Sequence, residues 1–146
     1  MKSKEEIVIL EEQMERLKEE GRFEAAKFTY FQAARAGSGS ACMLLAAAYH
    51  PGAKVFPDEF QSVFSKNRRR ANRFSNRELK CHRKAAKEGD FRAMFSLYNA
   101  HHFGHPRLIR KSRHAKAELW LRKAAESGNA IPVNELLHYL SHKEAG

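Results

Sequence analysis

The chain holds only two cysteines in 146 residues, Cys42 and Cys81, too few for the disulfide framework of a small secreted domain. Both are read as reduced, buried small hydrophobes. No apolar run approaches the roughly 20 residues that a membrane-spanning helix needs, so a transmembrane reading is dropped. The stretch Ile7-Val8-Ile9-Leu10 near the start is flanked by carboxylates and falls far short of a secretory leader; the expected location is cytoplasmic. Glycine-rich phosphate loops, G-x-S-x-G and H-E-x-x-H are all missing, which removes the commonest nucleotide, hydrolase and zinc-protease signatures. Cys81 stands next to His82, but sequence neighbours on a helix point about 100° apart. The expectation is a protein that is not an enzyme and needs no cofactor.

What is abundant is positive charge. The formal net charge is +10, and it is unevenly placed: residues 1–24 carry 5 Lys/Arg against 8 Asp/Glu, whereas the remainder carries 22 against 9. A field of this sign attracts polyanions or acidic protein faces by steering and counterion release. The densest stretch runs from Lys66 to Arg77, with Arg68, Arg69, Arg70, Arg73 and Arg77 and no carboxylate. A second basic run holds Arg107, Arg110, Lys111, Arg113 and Lys116. Guanidinium forks bind carboxylates and phosphates bidentately and stay charged, so both runs are candidate partner-binding segments; the bland alternative is a solvated basic face.

Helical periodicity organises most of the chain. Ser3 to Glu20 carries Ile7, Leu10, Met14 and Leu17 on a narrow apolar stripe, as a solvated helix capping one end of the domain would. A helix over about 22–36 ends at Gly37, and another over 40–49 stops at His50-Pro51-Gly52. Three segments then superimpose: Ala33-Ala34-x-x-Gly37, Ala85-Ala86-x-x-Gly89 and Ala124-Ala125-x-x-Gly128. Four residues on stand Ala41, Ala93 and Pro132, and eight on stand Leu45, Leu97 and Leu136. Alanine pairs let helices approach, glycine makes the turn, and the later Ala and Leu fill the space between neighbours. Pro132 is tolerable if Asn129 or Ala130 starts the helix and the proline lies in its first turn.

The pattern resembles the Sel1-like repeats, relatives of tetratricopeptide repeats. Ala117-Glu118-Leu119-Trp120-Leu121-Arg122-Lys123-Ala124-Ala125-Glu126-Ser127-Gly128 is similar to the family's first helix, and Ala41 to Gly52 to its second, with Leu45, Tyr49 and Gly52 in register. The resemblance covers about Arg22 to the C-terminus. It implies an all-α fold, a short right-handed α-solenoid of about three helical hairpins, used as an adaptor or scaffold and carrying no catalytic residues. One domain over 1–146 is expected: an N-terminal helix 1–21, repeat 1 over 22–52, a basic insertion 53–77, repeat 2 over 78–104, and a basic linker with a truncated repeat over 105–146.

The insertion carries Phe60, Phe64, Ala71 and Phe74 at helical spacing after Pro57, which suits either one long helix or a short helix plus a loop. Phe74 among arginines is compatible with base stacking, although its spacing favours the core. His101, His102 and His105, and separately His138 and His142, have chelating spacings, yet no fourth ligand completes a zinc pattern; no metal is expected. The functional expectation is a protein-interaction module, an adaptor or an inhibitor and effector, that docks an acidic partner surface through its concave face and basic linkers. The alternative is a nucleic-acid-binding regulator that uses the arginine-rich insertion. Leu136, Leu137 and Leu140 on the last helix admit a homodimer through that helix.

Overall fold

The computed structural model describes residues 2–103 and 113–145. Among them the chain is all helical: α1 Lys4–Glu19, α2 Phe23–Ala36, α3 Gly39–Tyr49, α4 Asp58–Gln61, α5 Arg68–Lys87, α6 Phe91–Phe103, α7 Arg113–Ala125 and α8 Ala130–Ala145. Where sequence suggests one domain, the fold divides into two compact units, residues 1–81 and 82–146, with the division falling inside α5.

The aligned Ala-Ala-x-x-Gly segments are helix terminators. Gly37, Gly89 and Gly128 all adopt positive φ, of 117°, 95° and 78°, which side chains with a Cβ rarely adopt. The amide of Ser38 bonds to the Ala33 carbonyl at 2.9 Å and that of Asp90 to the equivalent Ala85 carbonyl at 3.0 Å, the six-to-one bond of a Schellman cap. The residue after each glycine then caps the next helix. Ser38 Oγ accepts from Ala41 N (3.0 Å), Asp90 Oδ1 from Arg92 N (2.9 Å) and Asn129 Oδ1 from Ile131 N (3.1 Å). Stop and start are thus written in two adjacent residues. Ala41, Ala93, Leu45 and Leu97 are buried, while Leu136 is only half-buried. Pro132 is buried in the first turn of α8, where its missing amide costs no intrahelical bond.

In the first unit α2 packs against both α1 and α3, and an aromatic cluster fills the space beside them. Phe56, Phe60 and Phe64 are buried; Phe60 lies 4.5 Å from Phe56 between ring centroids, 5.3 Å from Phe64, 5.7 Å from Tyr30 and 5.4 Å from Phe23. The insertion therefore supplies core residues. Its helical spacing is not one helix: α4 has four residues, Phe64 lies in a turn beyond it, and α5 begins only at Arg68. The break is held from outside, by Asn67 N on the Tyr49 carbonyl (2.8 Å) and Lys66 Nζ on the Ala53 carbonyl (2.6 Å).

In the second unit α7 packs against α6 and α8. Tyr98, Ala117 and Leu121 form its buried centre, with Phe95, Trp120, Leu136 and Tyr139 around them. Tyr98 donates to Glu135 Oε1 at 2.8 Å. Burial, followed by that hydrogen bond and the Glu135 charge, raises the phenol's pKa well above its usual value.

Candidate anion-binding cleft

Arginines 70, 73 and 77 fall on one face of α5 because they stand three and four residues apart. Lys80 extends the row, so the four cations run for about 15 Å along the helix at 1.5 Å per residue. Opposite them, the last turns of α2 present Phe31, Ala34 and Arg35. The resulting cleft has a volume of about 570 Å³ and is lined by Phe31, Ala34, Arg35, Arg70, Arg73, Phe74, Asn76, Arg77 and Lys80. Five of the nine lining residues are cations and none is a carboxylate. Glu78, the nearest acid along α5, does not line it.

The cations have two roles. Arg70 and Arg77 are held by the protein: Arg70 Nη1 donates to Tyr49 Oη at 3.3 Å and its guanidinium lies 5.4 Å from the Tyr49 ring centroid. Arg77 donates through Nε to the Ala34 carbonyl (2.8 Å) and through Nη2 to that of Arg35 (2.9 Å). Both carbonyls lie in the last turn of α2, where a cation is favoured by the helix dipole, and that of Ala34 also accepts from Gly37 N at 3.2 Å. The side chains of Arg35, Arg73 and Lys80 are exposed and have no ion-pair partner among the described residues. Two guanidiniums are therefore pre-positioned and three charges are available to a ligand.

The floor is aromatic. Phe31 and Phe74 are half-buried with centroids 5.6 Å apart, and Phe74 stacks on Tyr49 with an interplanar angle of 8° at 6.1 Å. One face of Phe74 is thus committed to Tyr49. Core packing, rather than base stacking, is the use that this ring already has.

The remaining sequence candidates distribute as follows. Arg68 and Arg69 are exposed in the first turn of α5 and do not line the cleft. That turn holds no acid, so cations occupy a helix N-terminus, where the dipole disfavours them; Asn67 Oδ1, accepting from Arg70 N at 3.1 Å, supplies the cap. Arg107, Arg110 and Lys111 lie outside the described residues, as does the side chain of Arg113, whose backbone opens α7. Arg35 was missed because it stands in a repeat segment, and Lys80 because it lies past Glu78. The helical period from Arg70 was the available signal for Lys80.

Of the histidines, His101 is buried and His102 half-buried, and His105 lies outside the described residues. His138 and His142 have ring centroids 4.1 Å apart, with His142 Nδ1 at 3.0 Å from the His138 carbonyl. Among the described residues no three His, Cys, Asp or Glu side chains gather as a metal site. Cys42 and Cys81 are buried thiols, not joined in a disulfide, and in hydrogen-bonded contact; that bond first, then burial, pushes the Cys42 thiol's pKa far up. No described helix is long and apolar enough to cross a membrane. Comparison with protein-family models, curated proteins and solved structures finds no match to this chain.

Proposed function

We propose that the chain is a non-enzymatic helical-repeat module, built on a short solenoid of hairpins, that docks an acidic protein surface in the cleft between α2 and α5. The observation that carries this reading is the set of five cations, without a carboxylate, around an aromatic floor in one cleft. Mutual repulsion of these charges is unfavourable in the free protein and is relieved by an anionic ligand. The apolar floor asks for more than charge: an acidic segment that also presents an aliphatic or aromatic side chain satisfies both rim and floor, in the helix-in-groove manner. The arginines in the first turn of α5 support the same reading, because local helix electrostatics disfavours them and departures from local rules concentrate at functional sites.

A nucleic acid is the rival occupant, since a row of cations also suits a phosphate backbone. Single strands bind best where bases find open aromatic faces, and Phe74 has one face against Tyr49. Fluorescence anisotropy at physiological salt separates the two. A labelled helical peptide of glutamate and leucine should bind in the micromolar range or tighter, while short single-stranded and duplex oligonucleotides should bind more weakly. Oligonucleotides binding tenfold tighter than the peptide would replace this reading with its rival.

A further inference from the structure

The outer stripe of α1 has the chemistry that the cleft requires. Ile7, Leu10, Met14 and Leu17 face inward or are half-buried, and the exposed side includes Glu5, Val8, Ile9 and Glu12 on one stripe, flanked by the exposed Lys4 and Arg16. Val8 is 42% and Ile9 63% exposed. Neither Glu5 nor Glu12 has an ion-pair partner among the described residues. The stripe therefore reads acid, apolar pair, acid, on a chain whose first 24 residues are net negative and whose remainder is strongly positive.

The registers agree. Glu5 and Glu12 are seven residues apart, two helical turns or about 10 Å; Arg73 and Lys80, two of the cations without an ion-pair partner among the described residues, have the same separation on α5. Between the acids stand Val8 and Ile9, and within the cleft lie Phe31 and Phe74. Two helices laid side by side bring matching heptad positions together. The two surfaces also adjoin: Lys2 N bonds to the Ala36 carbonyl at 3.0 Å, so the start of α1 sits at the end of α2 beside Arg35. Adjacent complementary patches on one surface are what a self-complementary two-fold pairing needs.

We infer that the acidic helix accepted by the cleft is, in the absence of another partner, α1 of a second copy of this chain. This rests on the cleft being an acidic-helix site as proposed above, and it involves a surface other than the α8 leucines. Occupancy by α1 pairs Glu5 and Glu12 with Arg73 and Lys80 and covers Val8 and Ile9 with Phe31 and Phe74. A competing acidic partner would then have to displace it, so self-association and partner binding exclude each other.

Sedimentation velocity on the full chain, over a concentration series at low and high salt, tests the inference. At low salt the wild type should move toward twice its 16.8 kDa mass as concentration rises, and raising the salt to about 0.5 M should weaken the association roughly tenfold or more. R73E/K80E and E5K/E12K should each remain monomeric, with helical circular dichroism preserved. An equimolar mixture of the two should associate again, because each reversed surface then meets its complement; a misfolded variant could not give this rescue. A wild type that stays monomeric at every concentration and salt overturns the inference, as does a dimer indifferent to both variants. If the monomeric wild type still binds the glutamate-leucine peptide, the acidic-helix site stands and only the second copy is removed as its occupant. If neither binds, both readings fall.

Discussion

At Ser38 one hydroxyl accepts the Ala41 amide at 3.0 Å and donates to Glu11 Oε2 at 2.6 Å, joining the start of α3 to α1 while only 2% exposed. Its replacement by alanine removes the cap and leaves a carboxylate without its donor. Ser38→Ala should therefore cost about 1–2 kcal/mol and lower Tm by several degrees, whereas Ser40→Ala on the exposed side should be near neutral; equal Tm values for the two would contradict the capping role. The cysteines allow a chemical check. Cys42 and Cys81 are 0% and 3% exposed, and the raised thiol pKa of Cys42 keeps it protonated at neutral pH. An aromatic disulfide reagent should leave both thiols unmodified in the native protein and titrate two after denaturation. Prompt native labelling would show that the first unit opens there. Burial of these residues was legible from composition, but their contact was not, because it depends on how α3 and α5 pack.

At the scale of the element, α5 is where local and global demands conflict. Its first turn carries Arg68, Arg69 and Arg70 against the helix dipole. R68E/R69E should therefore raise the stability to urea by about 0.5–1 kcal/mol while slowing association with an acidic ligand, since rim charges act mainly on the on-rate. A loss of stability would mean that these arginines hold the fold. The helix boundaries were legible wherever the signal was local: Gly37, Gly89 and Gly128 end helices because their neighbours' carbonyls need partners there, whereas the capping roles of Ser38, Asp90 and Asn129 emerge only from the structure. The break between α4 and α5 was not legible. Phe60, Phe64 and Phe74 keep a helical spacing across it, and only the backbone of Tyr49 and Ala53, reaching Asn67 and Lys66, fixes the chain in another course.

For the molecule as a whole, charge separation is the dominant feature: an acidic first helix, and a cleft whose rim is entirely basic. The arginine-rich segment was visible in sequence, yet its use was not. Folding spends Arg70 and Arg77 on Tyr49 and the end of α2, leaves Arg68 and Arg69 outside, and recruits Arg35 from a different helix. The central claim is that these charges act together as one site for an acidic helix. Its most direct test is the affinity of the labelled glutamate-leucine peptide for wild type, for R73E/K80E, and for R83E, which reverses an exposed cation on α5 that does not line the cleft. At physiological salt R73E/K80E should bind at least about tenfold more weakly, a loss of 1.4 kcal/mol or more, and R83E should stay within about twofold of wild type. Equal weakening by R83E and R73E/K80E would reduce the effect to net charge and contradict the cleft.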